Sequence, residues 1–102
     1  MSDADALFGA LADPTRRQVF DLLVSGGPSS ATALSAEFPI SRQAVSKHLG
    51  ILEGAGLVTR QVVGRETRFV ADPDRLVDLT SWIETVGELW EQRLGRLKDS
   101  FR

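Results

Sequence analysis

Apolar residues recur through the C-terminal quarter of the chain at Leu76, Leu79, Ile83, Val86, Trp90, Leu94, Leu97 and Phe101, with gaps of 3, 4, 3, 4, 4, 3 and 4. That spacing predicts one long helix from about residue 73 to 100 with a single apolar stripe. Asp72-Pro73 stands at its start, and Asp13-Pro14 opens an earlier helix with the same pair: an acceptor for free amides, then proline at the first helical position. The earlier helix ends near Ser25, where Gly26, Gly27 and Pro28 follow. A first short helix begins after Ser2 as a cap, with Asp3 and Asp5 near its positive end and Leu7, Phe8 and Leu11 on one side. A third helix, Ser30 to about Glu37, stops where Pro39 pushes Phe38 out of helical geometry. Ser41 caps the next helix, and Ile40 can pack on Val45 as a hydrophobic staple.

The third and fourth helices are thus joined by a turn of about three residues, which is the helix-turn-helix arrangement. At 100° per residue, Val45, His48, Leu49 and Leu52 fall on one side of the fourth helix, and Arg42, Gln43, Ser46, Lys47 and Gly50 on the other. The polar set suits a DNA major groove. Arginine and lysine donate to guanine O6 and N7, glutamine pairs with adenine, and serine serves bases or phosphates. Ser46 and Gly50 keep the middle of that face low, so the helix axis can approach the groove floor. A solvated face carrying two cations is the competing reading of the same residues.

After Gly54 and Gly56, the stretch LVTRQVVGRETRFVA alternates as two strands around Gly64-Arg65, where Gly64 can supply the positive φ of a type II′ turn. A basic hairpin directly after a groove-binding helix is the wing of a winged helix. Arg65 at the tip is the best candidate for a backbone or minor-groove contact. Arg60 and Arg68 can reach phosphates, with Glu66 opposing this unless it pairs with one of them.

Charge changes the picture by its placement. The chain of 102 residues has a formal net charge of -2. Between Ser41 and Ala71 it holds Arg42, Lys47, Arg60, Arg65 and Arg68 against Glu53 and Glu66, so 5 - 2 = +3, and the remainder totals -5. A basic island between acidic flanks fits a nucleic-acid partner despite the overall sign. Hydrophobic residues make up 42% and charged residues 25% of the chain, as in an ordinary folded domain. A chain this short buries only about 65% of its unfolded surface, so a partner subunit can contribute to stability.

The absence of cysteine excludes disulfides, thiolate metal sites and cysteine nucleophiles. No run approaches the length of a membrane span and the N-terminus begins with acids, so a cytoplasmic protein with no membrane partner is expected. Ser46 and His48 point about 200° apart on their helix, which defeats a nucleophile and base pair, and no nucleotide or zinc motif is present. No enzymatic activity and no cofactor are expected. His48 is read as a locally hydrogen-bonded residue at the edge of the packed face, or else as a phosphate contact.

Taken together, ADPTRRQVFDLL, SRQAVSKHLGILEGAGLV and GRETRFVADP resemble the ArsR/SmtB family of bacterial winged-helix repressors, over nearly the whole chain. The fold class implied is mainly α with a β-hairpin wing: one domain over 1–102, with the helix-turn-helix at about 30–54, the wing at about 57–71 and the terminal helix at about 73–100. The resemblance implies a homodimer on a palindromic operator in double-stranded DNA, with Ser41, Arg42, Gln43, Ser46 and Lys47 at operator-contacting positions. Arg65 and Arg68 join them from the wing. It also implies a dimer interface of the first and last helices, here Leu7, Phe8, Leu11, Leu79, Ile83, Val86 and Trp90. The family's metal motifs are missing, since SSATALSAEF holds no thiolate pair and no histidine follows Ala71. A tryptophan-containing tail points to a subgroup that does not sense metal by the usual sites. Two other readings stay open. One is a ligand-responsive switch with Trp82, Trp90 and Phe101 lining an effector pocket, and the other is a winged-helix module that binds protein.

Overall fold

A computed structural model describes residues 3–100, with side chains from Ala4 onward. The expected cap at Ser2 and the last apolar position, Phe101, lie outside the described residues. The chain runs α1 (Asp3–Ala10), α2 (Pro14–Gly26), β1 (Ser29–Ser30), α3 (Ala31–Ser35), α4 (Arg42–Gly54), β2 (Val58–Val63), β3 (Glu66–Ala71), a single 3-10 turn (Pro73–Arg75) and α5 (Leu76–Ser100).

The start signals act as expected at α2 and α4. The Asp13 carboxylate accepts the Arg16 N–H at 2.9 Å, with Pro14 at the first helical position. The Ser41 hydroxyl accepts the Ala44 N–H at 3.1 Å, and Ile40 packs against the buried cluster that contains Val45. The Arg16 hydrogen bond holds the Asp13 carboxyl below its ordinary pKa, with the nearby His48 and Arg16 charges adding to the effect against partial desolvation. A depressed carboxyl stabilises the fold above its unfolded pKa, and that contribution is lost as pH falls through the folded value. Asp13→Asn, which still caps, is therefore expected to flatten the acid limb of a stability-versus-pH curve. An unchanged acid limb in urea titrations would refute this assignment.

Other boundaries differ from expectation for identifiable reasons. Ser30 caps α3 rather than opening it, accepting from the Ala33 N–H at 3.1 Å. Helix α3 ends at Ser35, because the Glu37 and Phe38 amides turn back to the carbonyls of Leu34 and Ser35 ahead of Pro39. The connection to α4 is therefore 36–41 rather than three residues. At the C-terminus of α4, Gly56 has φ 80°, its N–H reaches the Glu53 carbonyl at 3.0 Å, and the Leu57 N–H reaches Leu52 at 3.0 Å. This paired closure aims the chain into β2. Asp72-Pro73 forms the 3-10 turn rather than starting α5 directly, with the Asp72 carboxylate accepting the Asp74 N–H at 3.3 Å.

The wing is wider than a hairpin. β1 joins as a third antiparallel strand in the order β1-β3-β2, pairing Ser29 with Phe69 and Ser30 with Arg68. Between β2 and β3 the register Val63↔Glu66 leaves Gly64-Arg65 as the loop, with φ 65° at Gly64 and no positive φ at Arg65, the sign pattern of the expected type II′ turn.

Val19, Phe20 and Leu23 of α2 pack with Val45, Leu49 and Leu52 of α4, under Val58 and Phe69 of the sheet. Leu7 of α1 and Leu79 of α5 are buried in this same core. Past Leu79 the large apolar residues of α5 are uncovered in the single chain. The C-terminal end of α1 carries no base of its own in its last turn. Arg16 of α2 serves it instead, donating from its guanidinium to the Gly9 carbonyl at 3.1 Å and to that of Ala10, while Arg17 donates to Leu11 at 2.7 Å. Arg16→Ala should lower stability by about 1–2 kcal/mol by removing the guanidinium donor to the Ala10 carbonyl. Urea denaturation with an unshifted midpoint would count against that role.

Candidate nucleic-acid interface

Burial along α4 separates two faces as the sequence periodicity requires. Val45, Leu49 and Leu52 are fully buried, whereas Ser41, Arg42, Gln43, Ser46, Lys47 and Gly50 are exposed. The packed face anchors α4 to α2, so the polar face is presented by a helix that cannot rotate without exposing three core residues. Ser41 already accepts the Ala44 N–H. Its hydroxyl proton remains available for an acceptor such as a phosphate oxygen.

Folding brings that face to the wing. An open groove of about 750 Å³ is lined by Arg42 and Ser46 of α4, by Arg60, Arg65, Thr67, Phe69 and the single acid Glu66 of the wing, and by the N-terminal end of α3. Arg42 and Arg65, far apart in the chain, thus share one concave surface. The contributions of Ser30, Thr32 and Thr67 to this surface had no signal in the sequence. They are small polar residues of ordinary kind, placed there by the pairing of β1 with β3.

The two remaining wing arginines are engaged within the chain. Arg60 Nε lies 2.8 Å from Glu53 Oε2 and 3.1 Å from Oε1, with the guanidinium 5.4 Å from the centre of the Phe69 ring. This fixes Arg60 against the groove wall and joins the end of α4 to the sheet. Arg68 is 3.2 Å from Glu66. In the register Arg60 stands opposite Phe69 and Gln61 opposite Arg68, so Arg68 projects from the face of the wing opposite to Arg60 and Phe69. The sequence set Arg68 beside Arg65 as a DNA contact; in the structure its guanidinium is engaged by Glu66.

His48 is half-buried at the edge of the packed face, as its position on the wheel requires. The local hydrogen bond expected of it is missing at Nδ1, which is enclosed and without a partner among the described residues. A proton on its ring would favour the Asp13 carboxylate at the start of α2. Among the described residues no group of three or more histidine, cysteine, aspartate or glutamate side chains is gathered as a metal site. No helix among them is long and apolar enough to cross a membrane.

The terminal helices place the other predicted residues in two groups. Leu7 and Leu79 belong to the core of the single chain, and Leu11 packs at its margin, so the first two offer little surface to a partner. Phe8, Ile83, Val86 and Trp90 are exposed. The Phe8 and Trp82 rings meet edge to face, with centroids 5.2 Å apart and planes at 78°, tying α1 to α5.

Comparisons with known proteins agree with this arrangement. A family model described as a helix-turn-helix domain matches residues 11–61. The transcriptional repressor SdpR of Bacillus subtilis is 34% identical over 77 residues, covering 76% of this chain and 84% of that protein. The solved structure of an ArsR-like transcriptional regulator from Rhodococcus sp. RHA1 superposes with a TM-score of 0.81 at 36% identity, covering 95% of this chain and 91% of that one. The homodimeric winged helix-turn-helix DNA-binding domain of Mb0332 from Mycobacterium bovis, at 22% identity, shares the fold with a TM-score of 0.67 over 84% of this chain and 79% of that one. The polar face of α4, the wing beside it and these likenesses lead to one conclusion: the chain belongs to the ArsR family of DNA-binding, winged helix-turn-helix transcriptional regulators, a family of regulators rather than enzymes.

Proposed function

We propose that the chain acts as a homodimeric transcriptional repressor, with α4 of each copy in the major groove of one half of a palindromic operator and the wing on the flanking backbone or minor groove. The observation that carries this reading is the single groove shared by Arg42, Ser46 and Arg65, on the side of α4 opposite its buried leucines. The whole chain works as one unit, in which 30–54 reads DNA, 57–71 supports it and 73–100 pairs the subunits. Arg42, Gln43, Ser46 and Lys47 read base edges, Ser41 donates to a phosphate, and Arg65 holds the backbone. Arg68 is left out because its guanidinium is paired with Glu66. Two α4 helices about 34 Å apart would occupy successive major grooves, and the bound dimer would exclude polymerase.

The dimer surface of this reading is Phe8, Ile83, Val86 and Trp90, which the single chain leaves exposed. Repression by SdpR and the dimeric state of Mb0332 support the reading as a homodimeric repressor. The regulator works without a metal in this reading. A protein-binding role for α4 has less support, because its one exposed large apolar side chain is Ile51, toward the C-terminal end.

Fluorescence anisotropy on DNA from upstream of the chain's own gene, against a scrambled duplex, tests the proposal. A specific excess of about 10³ or more with a steep salt dependence is the expected result. Arg42→Ala and Gln43→Ala should each lose about 1–3 kcal/mol of discrimination between the two duplexes. Arg65→Ala should weaken both alike and reduce the salt slope by about one. Equal losses on both duplexes for Arg42→Ala would overturn the assigned reading face.

A further inference from the structure

Glu53 stands in the last turn of α4, the end of a helix where the backbone dipole favours bases and disfavours acids. It is also one of only two acids in the basic stretch from Ser41 to Ala71. Helix stability does not account for its position, but its partner does. Both carboxylate oxygens accept from Nε of Arg60, at 2.8 and 3.1 Å, so the ion pair occupies one edge of the guanidinium. The other edge is open: Nη1 and Nη2 make no hydrogen bond among the described residues. The Phe69 ring, opposite Arg60 in the strand register, lies 5.4 Å from the guanidinium carbon and supports its face. Carboxylate and ring thus restrain the group both within its plane and across it.

Arg60 and Phe69 line the groove that Arg42, Ser46 and Arg65 share. The Arg60 side chain is 56% exposed, so a partner from solvent can reach it. Glu66 lines the same groove, and Arg68 holds its carboxylate at 3.2 Å. Arg68 gives its Nε to a carboxylate as Arg60 does, but it does not line the groove. Of these two paired arginines, Arg60 therefore joins a fixed guanidinium to a place on the DNA side. The terminal edge of an arginine is a rigid fork that matches two phosphate oxygens. A loose arginine gives up rotamer freedom on binding, whereas one already held at Nε and across its face gives up little.

We propose that Arg60 binds a DNA phosphate through Nη1 and Nη2, and that Glu53 is the positioning residue that aims it. Glu53 then strengthens DNA binding although its own charge repels DNA. The proposal rests on the DNA-binding reading of α4 and the wing, and adds to that reading one contact and the residue that supports it.

The sign of the Glu53 effect is the test, read by fluorescence anisotropy across salt concentrations on the upstream and scrambled duplexes. By charge alone, removing an acid beside DNA strengthens binding. Positioning demands the reverse: Glu53→Ala should weaken binding to both duplexes by about threefold to tenfold. Arg60→Ala should weaken both by about tenfold and lower the salt slope by about one for each bound chain. Glu53→Gln keeps an acceptor for Nε and should bind at least as tightly as the original chain. In the Arg60→Ala background, Glu53→Ala should weaken binding no further, because the residue it positions is gone. The pair is exposed, so every variant should keep a urea midpoint close to the original, which separates aim from folding. Tighter binding by Glu53→Ala would show that Glu53 competes with phosphate for Arg60, and would overturn the proposal. So would equal weakening by Glu53→Gln and Glu53→Ala, a further loss in the Arg60→Ala background, or an Arg60→Ala variant with unchanged affinity and slope. Absence of salt-dependent binding to either duplex by the original chain would instead remove the DNA-binding reading itself.

Discussion

Replacement of Leu49 by alanine is expected to lower stability by about 2–5 kcal/mol, a large part of what a domain of this size possesses, and to weaken DNA binding without altering any group that faces DNA. Leu49 is fully buried between Val45 and Leu52 on the packed side of α4, against α2 and the sheet. Truncation removes its methyl groups from contact and leaves a cavity that the rigid α2–α4 pair cannot close. The reading face would then sit on a helix no longer held in place. Urea unfolding should show a lower midpoint with little change in slope. Operator binding should fall with the folded fraction and recover at lower temperature or in stabilising osmolyte. Arg42→Ala provides the contrast, since its side chain is exposed: stability should stay near that of the original chain while discrimination is lost. If Leu49→Ala kept its midpoint, the packed face of α4 would be wrongly assigned.

Trp90→Ala carries the second large effect. Trp90 is 55% exposed in the single chain and stands at the middle of the apolar stripe on α5. In a symmetric dimer the residue near the axis is used twice, and a central buried tryptophan typically contributes about 2–4 kcal/mol to association. Sedimentation equilibrium should therefore show dimer association weakened by roughly 30-fold to 1,000-fold at unchanged helical content. Operator binding should acquire a steeper dependence on protein concentration, because two separate chains must then meet on one site. Val77→Ala, exposed on the same helix but away from the stripe, should do little to either property. A dimer constant untouched by Trp90→Ala would place the interface elsewhere.

The local devices of the fold were legible in the residues because each acts over a few positions. Asp13-Pro14 and Ser41 cap their helices with their own side chains. Gly64 supplies the one positive φ that a two-residue loop between β2 and β3 needs. The faces of α4 follow from its 3.6-residue period, so the shared side of Arg42, Gln43, Ser46 and Lys47 is a consequence of their spacing alone. Strand β1 was not legible, since two residues have no period and their pairing partners, Phe69 and Arg68, lie about forty positions away. The ion pair of Arg68 with Glu66 was raised as a condition by the sequence, while the side of the wing it occupies depended on register.

The terminal helices show where the boundary falls. Hydrophobic spacing by itself determined that α1 and α5 each carry an apolar side, because helical periodicity is a property of neighbouring residues. It could not divide that side between the chain's own core and a partner. Only the packing of α1 and α5 against the central helices decided that Leu7 and Leu79 are enclosed within one chain while Phe8, Ile83, Val86 and Trp90 are left open. The guanidinium of Arg16 likewise found the last carbonyls of α1 only once the two helices met. Periodicity and capping are written along the chain, but burial and register depend on which distant elements arrive beside one another.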